Sequence, residues 1–323
     1  MQKLKLGFCN RTEGIDLMKR VLIFGAAGFV GRYLADEFTN NGYRVYGSDK
    51  LDAESLTGFV GYSSADILDA EEVCKVLNKF KPNYIVNLAA ISSVGMSWEM
   101  PQLTLEVNVR GALNILEAAR GQDDKPKVMF VGSSEEYAAS EGPINEEMPL
   151  NANNPYGISK MAQERFAAIY RERYEMKIYC VRPFNHTGVG QKDTFVLPSF
   201  CKQVAEIEKK GTPGIIKVGN LDAFRDFSDV RDIVRAYRLI IESDDCSKIY
   251  NIGSGVAYSL KELLSYIVSL STQVIKVEID KSRFRPVDNK IICCDNSLIY
   301  KELGWKPTCS IKDTLKNIFN SYL

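Results

Sequence analysis

The chain has 323 residues, of which 45% are hydrophobic and 25% charged, ordinary globular values that argue against disorder, collagen and coiled coil. Lysine plus arginine and aspartate plus glutamate stand at 41 each, and this balance disfavours a general nucleic-acid binder or a polybasic membrane binder. At roughly 150 residues per domain the length accommodates about two domains, or one large α/β unit with an appendage.

No apolar run is long enough for a membrane span, and the first residues are too polar for a signal peptide. The eight cysteines form no CxxC pair, which reads as reduced thiols in a cytoplasmic protein without a disulfide framework or a zinc site. His186 is the only histidine, so no metal is expected, and a lone histidine is expected to pack or hydrogen-bond rather than catalyse.

Residues 1–17 carry no periodicity and are expected to be an N-terminal extension. Strand and helix then alternate. Arg20 to Phe24 reads as a buried strand, Phe29 to Asn40 as a helix and Tyr43 to Ser48 as a strand. A helix over Ala70 to Phe80, a strand over Tyr84 to Leu88 and a long helix over Gln102 to Ala119 follow. Lys127 to Gly132 reads as a strand, Pro155 to Tyr174 as a helix and Ile178 to Arg182 as a strand. This order implies a doubly wound parallel sheet covered by helices on both faces, a Rossmann-type α/β fold. Past Arg182 the pattern loosens into a smaller C-terminal α/β lobe, although Tyr250 to Gly253 has the composition of a late sheet strand.

The first strand runs into GAAGFVG, which puts Gly25, Gly28 and Gly31 at a strand-to-helix turn. Glycine there lets a pyrophosphate approach the backbone, and the helix N-terminus offers it free N–H groups. Asp49 ends the second strand, eighteen residues after Gly31. A carboxylate there accepts hydrogen bonds from an adenosine ribose and repels a 2′-phosphate, favouring NAD(H) over NADP(H), while the neighbouring Lys50 tolerates that phosphate.

Tyr156 and Lys160 are four apart on a predicted helix and share a face, so the ammonium is expected to lower the phenol pKa. Tyr46 and Lys50 have the same spacing, but on a strand and its loop, where they share no helical face. Upstream, VGSSEEY places Ser133, Ser134 and Glu135 at the carboxyl end of a strand, where ligands of such sheets bind. Ser133 is positioned either to hold a substrate oxygen or to cap a turn.

GAAGFVG, the Ser133/Tyr156/Lys160 set and VNVRGALNILEA around Asn108 together resemble the extended short-chain dehydrogenase/reductase family, over residues 19 to 307. Within it, LAAISSVGMSWEMP, RPFNHTGVGQ, FVLPSF, GNLDAFRDFSDVRD and RPVD look most like the GDP-4-keto-6-deoxy-D-mannose reductases, and GDP-mannose 4,6-dehydratases share several of these features. The resemblance implies a catalytic set of Tyr156 as acid, Lys160 tuning it and binding the nicotinamide ribose, and Ser133 on the keto oxygen. It implies a cofactor site of Gly25, Gly28, Phe29, Val30, Gly31, Asp49, Lys50, Asp66, Ile67, Leu88, Ala89 and Ala90 with Tyr156 and Lys160. Ser93, Ser134, Glu135, Asn185, Arg225 and Arg285 are the implied nucleotide-sugar contacts, and guanidinium forks suit phosphate oxygens.

The implied division is a dinucleotide domain over 18–185, with 226–255 returning to it, and a nucleotide-sugar lobe over 186–225 and 256–323. A homodimer through the two long helices is also implied. Asn87 and Ala138 depart from the family pattern, which has histidine before LAA and glycine after the EEY tyrosine. Two enzyme readings remain, a 4-keto reductase and a 4,6-dehydratase; only the second needs a base for the carbon-5 proton, and Glu135 stands where related dehydratases have theirs. Another nucleotide-sugar epimerase is the further alternative. A catalytically dead binding protein is disfavoured because serine, tyrosine and lysine are all present.

Overall fold

In β1 (Arg20–Phe24), Val21 and Ile23 face one side and Leu22 and Phe24 the other, and all four are fully buried. A strand buried on both faces belongs inside a sheet covered twice by helices. The computed structural model describes residues 18–52, 57–284 and 289–323; the expected N-terminal extension and Arg285 lie outside them.

After β1 come α1 (Phe29–Asn40), β2 (Arg44–Asp49), β3 (Gly61–Ser64), α2 (Ala70–Phe80) and β4 (Tyr84–Asn87). A short α3 (Val94–Glu99) leads into α4 (Pro101–Leu105), a π-helical turn (Glu106–Arg110) and α5 (Gly111–Arg120). The alternation continues through β5 (Lys127–Val131), α6 (Pro155–Tyr174) and β6 (Ile178–Pro183). Next are β7 (Asn185–Thr187), α7 (Val196–Lys210), β8 (Gly214–Val218), β9 (Phe224–Asp229), α8 (Val230–Glu242) and β10 (Ile249–Ile252). The chain closes with β11 (Ala257–Ser259), α9 (Leu260–Val268), β12 (Ile275–Ile279), β13 (Ile291–Ile292), α10 (Ser297–Leu303) and α11 (Ile311–Ser321).

Seven strands form one parallel sheet in the order β10-β6-β5-β4-β1-β2-β3. The chain moves outward from β1 to β3 and then crosses to β4, so strand order reverses between β1 and β4 and a crevice opens at their carboxyl ends. On one face α1 and α8 bury Leu34, Phe38, Ile240 and Ile241 against Val21 and Ile23. The other face packs α2, α5 and α6 through Leu77, Ile115, Leu116 and Ala167. The expected Rossmann-type fold is thus present.

Two elements differ from expectation. β3 is a polar edge strand, GYSS, too short and hydrophilic to announce itself. The helix foreseen from Gln102 to Ala119 runs from Pro101 to Arg120 and carries the π-turn, which directs Asn108 into the protein interior.

Beside the large sheet, β9 is flanked by antiparallel β11 on one edge and by β13 and β7 in succession on the other. β8 and β12 pair separately, and α7, α9 and α11 close a second core around Leu197, Phe200, Leu264 and Leu315. Among the described residues no helix is long and apolar enough to cross a membrane. The buried Asp226 on β9 accepts hydrogen bonds from Ser254 N (2.8 Å), Ser254 Oγ (2.6 Å), Gly255 N (2.9 Å) and Cys294 N (3.1 Å), tying the small sheet to the segments after β10 and β13. Asp226→Ala leaves these donors unpaired and should lower the unfolding free energy by about 1–3 kcal/mol in urea titrations.

Candidate active site

The turn after β1 is built by exclusion of side-chain atoms. Gly25 has φ +77°, and a Cβ on it would lie 2.6 Å from Ala89 N, at the end of β4. Asn87 Oδ1 accepts from that same Ala89 N–H (3.1 Å), so the residue found in place of the family histidine fixes the second wall of the turn. α1 starts from Gly28 with no side-chain cap and no acidic residue in its first turn, leaving its N–H groups and positive dipole end to a ligand. Asp49 Oδ2 accepts from Ala27 N (3.2 Å), which holds the carboxylate beside the turn, and Lys50 is exposed next to it.

A cleft of about 1350 Å³ follows the carboxyl ends of the sheet strands. It is lined by Gly25, Gly28, Phe29, Val30 and Gly31, by Asp49 and Lys50, by Asp66 and Ile67, and by Leu88, Ala89 and Ala90. Ser93, Ser133, Ser134, Glu135, Tyr156, Lys160, Asn185 and Arg225 border the same cleft, so every described candidate residue meets in one cavity. Ser93 Oγ also caps α3 by accepting from Met96 N (3.2 Å), and Asp66 Oδ1 accepts from Leu68 N (2.9 Å). Arg225 donates to Phe224 O (2.8 Å) and is buried.

Asn154 organises the start of α6. Its Oδ1 accepts from Gly157 N (2.9 Å), while its Nδ2 donates to Glu135 Oε2 (2.9 Å). Tyr156 and Lys160 share an α6 face, with the ammonium 5.9 Å from the centre of the phenol ring. The Ser133 side chain faces the Tyr156 phenol and favours its ionised form. Ser133 Oγ also accepts from Glu135 N (3.1 Å) and opens a 3₁₀ turn, Ser134–Glu136, so capping and cleft contact converge on one hydroxyl.

The electrostatics correct one expectation. Burial pushes the Tyr156 phenol well above its ordinary pKa, and the neighbouring Ser133 side chain only partly opposes this. Lys160 does not offset it, because its ammonium is committed to Val131 O (2.7 Å) and Gln163 Oε1 (3.1 Å). The phenol is therefore a proton donor at neutral pH. Burial lowers Lys160 to about 8, with the Glu136 carboxyl working against it. Glu136 is itself buried and raised to about 8, by burial first and by Glu164 second. Arg182 joins this network: its Nε donates to Glu164 Oε2 (2.9 Å), and it lies 4.0 Å from Glu136 Oε2.

The sequence reading named Asn108 only within a matching stretch and gave it no role. Asn108 Nδ2 donates to Ser159 Oγ (2.8 Å) and to Ile91 O (3.1 Å), and its Oδ1 accepts from Ile91 N (2.8 Å). Ser159 Oγ donates in turn to Tyr156 O (2.6 Å), so Asn108 ties the tyrosine turn to the cleft wall after β4. A polar residue on an otherwise apolar helical stripe was the available signal. Arg283 and Tyr237 line the cleft without any local motif. His186 stacks on Phe29 with ring centres 6.5 Å apart and donates from Nδ1 to Phe184 O (3.1 Å), while burial lowers its pKa. Tyr46, which has the same spacing to Lys50, stacks on Phe80 with ring centres 4.6 Å apart and does not line the cleft.

A three-glycine turn at the switch point and a Ser–Tyr–Lys set on the same cleft define an oxidoreductase of the extended short-chain dehydrogenase/reductase class. The family model described as GDP-mannose 4,6 dehydratase matches residues 22–318, and the chain belongs to that family. A GDP-6-deoxy-D-mannose reductase of Pseudomonas aeruginosa is 29% identical over 244 residues, covering 75% of this chain and 80% of the relative. A GDP-mannose 4,6 dehydratase of Arabidopsis thaliana is 29% identical over 320 residues, covering 92% and 88%. Among solved structures, RMD from Pseudomonas aeruginosa complexed with NADPH superposes with a TM-score of 0.81 at 26% identity, covering 94% of this chain and 97% of its own.

The Lys160 ammonium should lose its proton near pH 8, protonated below and neutral above. In ¹³C-lysine-labelled protein this appears as a Cε titration that is absent from Lys160→Arg. Glu136→Gln removes the carboxyl that holds the proton on Lys160, so the midpoint should move to lower pH.

Proposed function

We propose that the protein reduces the 4-keto group of a GDP-bound 4-keto-6-deoxy-hexose, converting GDP-4-keto-6-deoxy-D-mannose to GDP-D-rhamnose or its 4-epimer. The observation that carries this reading is the meeting of Ser133, Tyr156 and Lys160 on one cleft walled by the glycine turn, with burial holding the phenol protonated. The cradle at Gly25, the uncapped start of α1 and the anchored Asp49 fit a nicotinamide dinucleotide. Asp49 favours NAD(H), with Lys50 leaving NADP(H) open; the similar RMD of Pseudomonas aeruginosa was solved in complex with NADPH.

When bound, the reduced nicotinamide supplies hydride to carbon 4. Ser133 holds the keto oxygen and Tyr156 delivers its phenolic proton to that oxygen, while Lys160, on the same face of α6, binds the nicotinamide ribose. Asn108, acting through Ser159, keeps the Tyr156 turn in register with the cleft wall. Ser93, Ser134, Asn185, Arg225 and Arg285 serve the nucleotide sugar. The dinucleotide part is 18–185 with 226–255, and the nucleotide-sugar part is 186–225 with 256–323.

A second reading, GDP-mannose 4,6-dehydratase, is favoured by one observation: Glu135 lines the cleft beside Ser133, where a base for the carbon-5 proton would stand. Its carboxylate accepts from Asn154, which orients it. Two further assignments support the reading. The free thiols of the described cysteines suit a reducing, cytoplasmic compartment. Met96, Trp98, Met100 and Leu105 on and around α3 and α4, with Ile158 and Ile169 on α6, are exposed apolar residues on neighbouring helices, which suits a homodimer.

Incubation with GDP-4-keto-6-deoxymannose should consume NADH or NADPH absorbance, and GDP-mannose without added reductant should yield no 4-keto sugar; a 4-keto product would move the assignment to the dehydratase. Tyr156→Phe should lower turnover by about 10²–10⁴-fold with cofactor affinity nearly unchanged. Glu135→Gln should be mild in a reductase and severe in a dehydratase. Light scattering should give twice the chain mass, and Trp98→Glu with Ile169→Glu should halve it.

A further inference from the structure

Buried hydroxyls are hydrogen-bonded in folded proteins, and an unpaired one asks for an explanation. The described residues hold five buried side-chain polar atoms without a partner: Ser48 Oγ, Glu136 Oε2, Gln163 Nε2, Ser228 Oγ and Tyr237 Oη. Of these residues, Tyr237 alone lines the cleft. The whole tyrosine is buried on α8, in the core cluster that includes Met129, Tyr179 and Val181 of β5 and β6.

Helical side chains lean toward the N-terminus of their helix. Helix α8 starts at Val230, directly after Asp229, which pairs with Thr187 of the cleft wall. Tyr237, two turns further on, therefore leans toward the cleft from beneath β5 and β6. Tyr156 is near enough to act on it electrostatically. The orphaned hydroxyl thus belongs to the end of the cleft that holds the reacting groups, away from Asp49.

We propose that Tyr237 Oη is the hydrogen-bonding contact for the carboxamide of the bound nicotinamide ring. This rests on the dinucleotide reading above. Asp49 serves the adenosine ribose, the start of α1 the pyrophosphate, and Lys160 the second ribose, which leaves the carboxamide without an assigned partner. A primary amide carries both donors and an acceptor, and a phenol is the one hydroxyl side chain here that offers both roles from a rigid, buried ring. With the ring in place both groups are satisfied.

The test compares NAD⁺ with ADP-ribose, which keeps the adenosine, the diphosphate and a ribose but lacks nicotinamide. Calorimetric titration of Tyr237→Phe should show NAD⁺ binding about 5-fold weaker than in the wild type, the size of one neutral hydrogen bond, and ADP-ribose binding unchanged. The ligand-free variant should melt no lower than the wild type, because the hydroxyl removed had no partner. Unchanged NAD⁺ affinity, an equal loss for both ligands, or a lower melting temperature would each overturn the assignment. Failure of the wild type to bind either ligand would instead bring down the dinucleotide reading itself, and a wild type that binds both with equal affinity would remove only the Tyr237 contact.

Discussion

The first turn of α6 lies so close to the turn after β5 that a β-carbon on Gly157 would sit 2.3 Å from the carbonyl oxygen of Glu135. No residue with a side chain fits there. This contact sets Tyr156 against Ser133, and the neighbouring Asn154 then spans both elements, capping the helix with one amide atom and holding Glu135 with the other. Tyr156, Ser133 and Glu135 are placed by one backbone approach. The sheet supplies the remainder by ending β1, β2 and β4 around the glycine turn at the point where strand order reverses.

Behind this surface lies a buried charge cluster of Glu136, Lys160, Glu164 and Arg182. Burying ions is costly unless they are paired and hydrogen-bonded, and here two carboxyls face two cations. The arrangement is unevenly satisfied: Arg182 is closely held by Glu164 and Tyr137, while Glu136 keeps one oxygen unpaired. Lys160 sits at the soft side of the cluster, its charge opposed by burial and favoured by Glu136. A lysine so placed responds to what enters the cleft, because any anion or polar ligand near it changes the balance.

What was legible in the sequence was local. The glycine turn, Asp49 and the Tyr156–Lys160 spacing each rest on residues within one turn or one strand–helix unit, where backbone geometry decides function. The edge strand β3 was not legible because GYSS lacks apolar alternation, and its place is settled by pairing with β2. The π-turn was hidden because nothing in Glu106–Arg110 (EVNVR) forbids an ordinary α-helix; it goes with the tie from Asn108 to Ser159 and Ile91, residues distant in sequence. The lowered phenol pKa failed for a similar reason. Spacing shows that two side chains share a face, whereas burial and the carbonyl that captures the ammonium are tertiary facts. Tyr237 reads as an ordinary core residue of an amphipathic helix, and only the missing partner distinguishes it.

The π-turn also bears on how the chain tolerates length changes. Such a turn holds one residue more than the α-helix around it. Deleting a residue between Glu106 and Arg110 would let the segment close as regular helix, with no element lost from the fold. Because the wider turn absorbs the extra residue, side chains on the two flanks would keep nearly the same phase. The change would be confined to the turn itself, where Asn108 meets Ser159 and Ile91, while α4 and α5 kept their own packing. In this stretch a change of length is felt at one side chain and leaves the helix on either side in place.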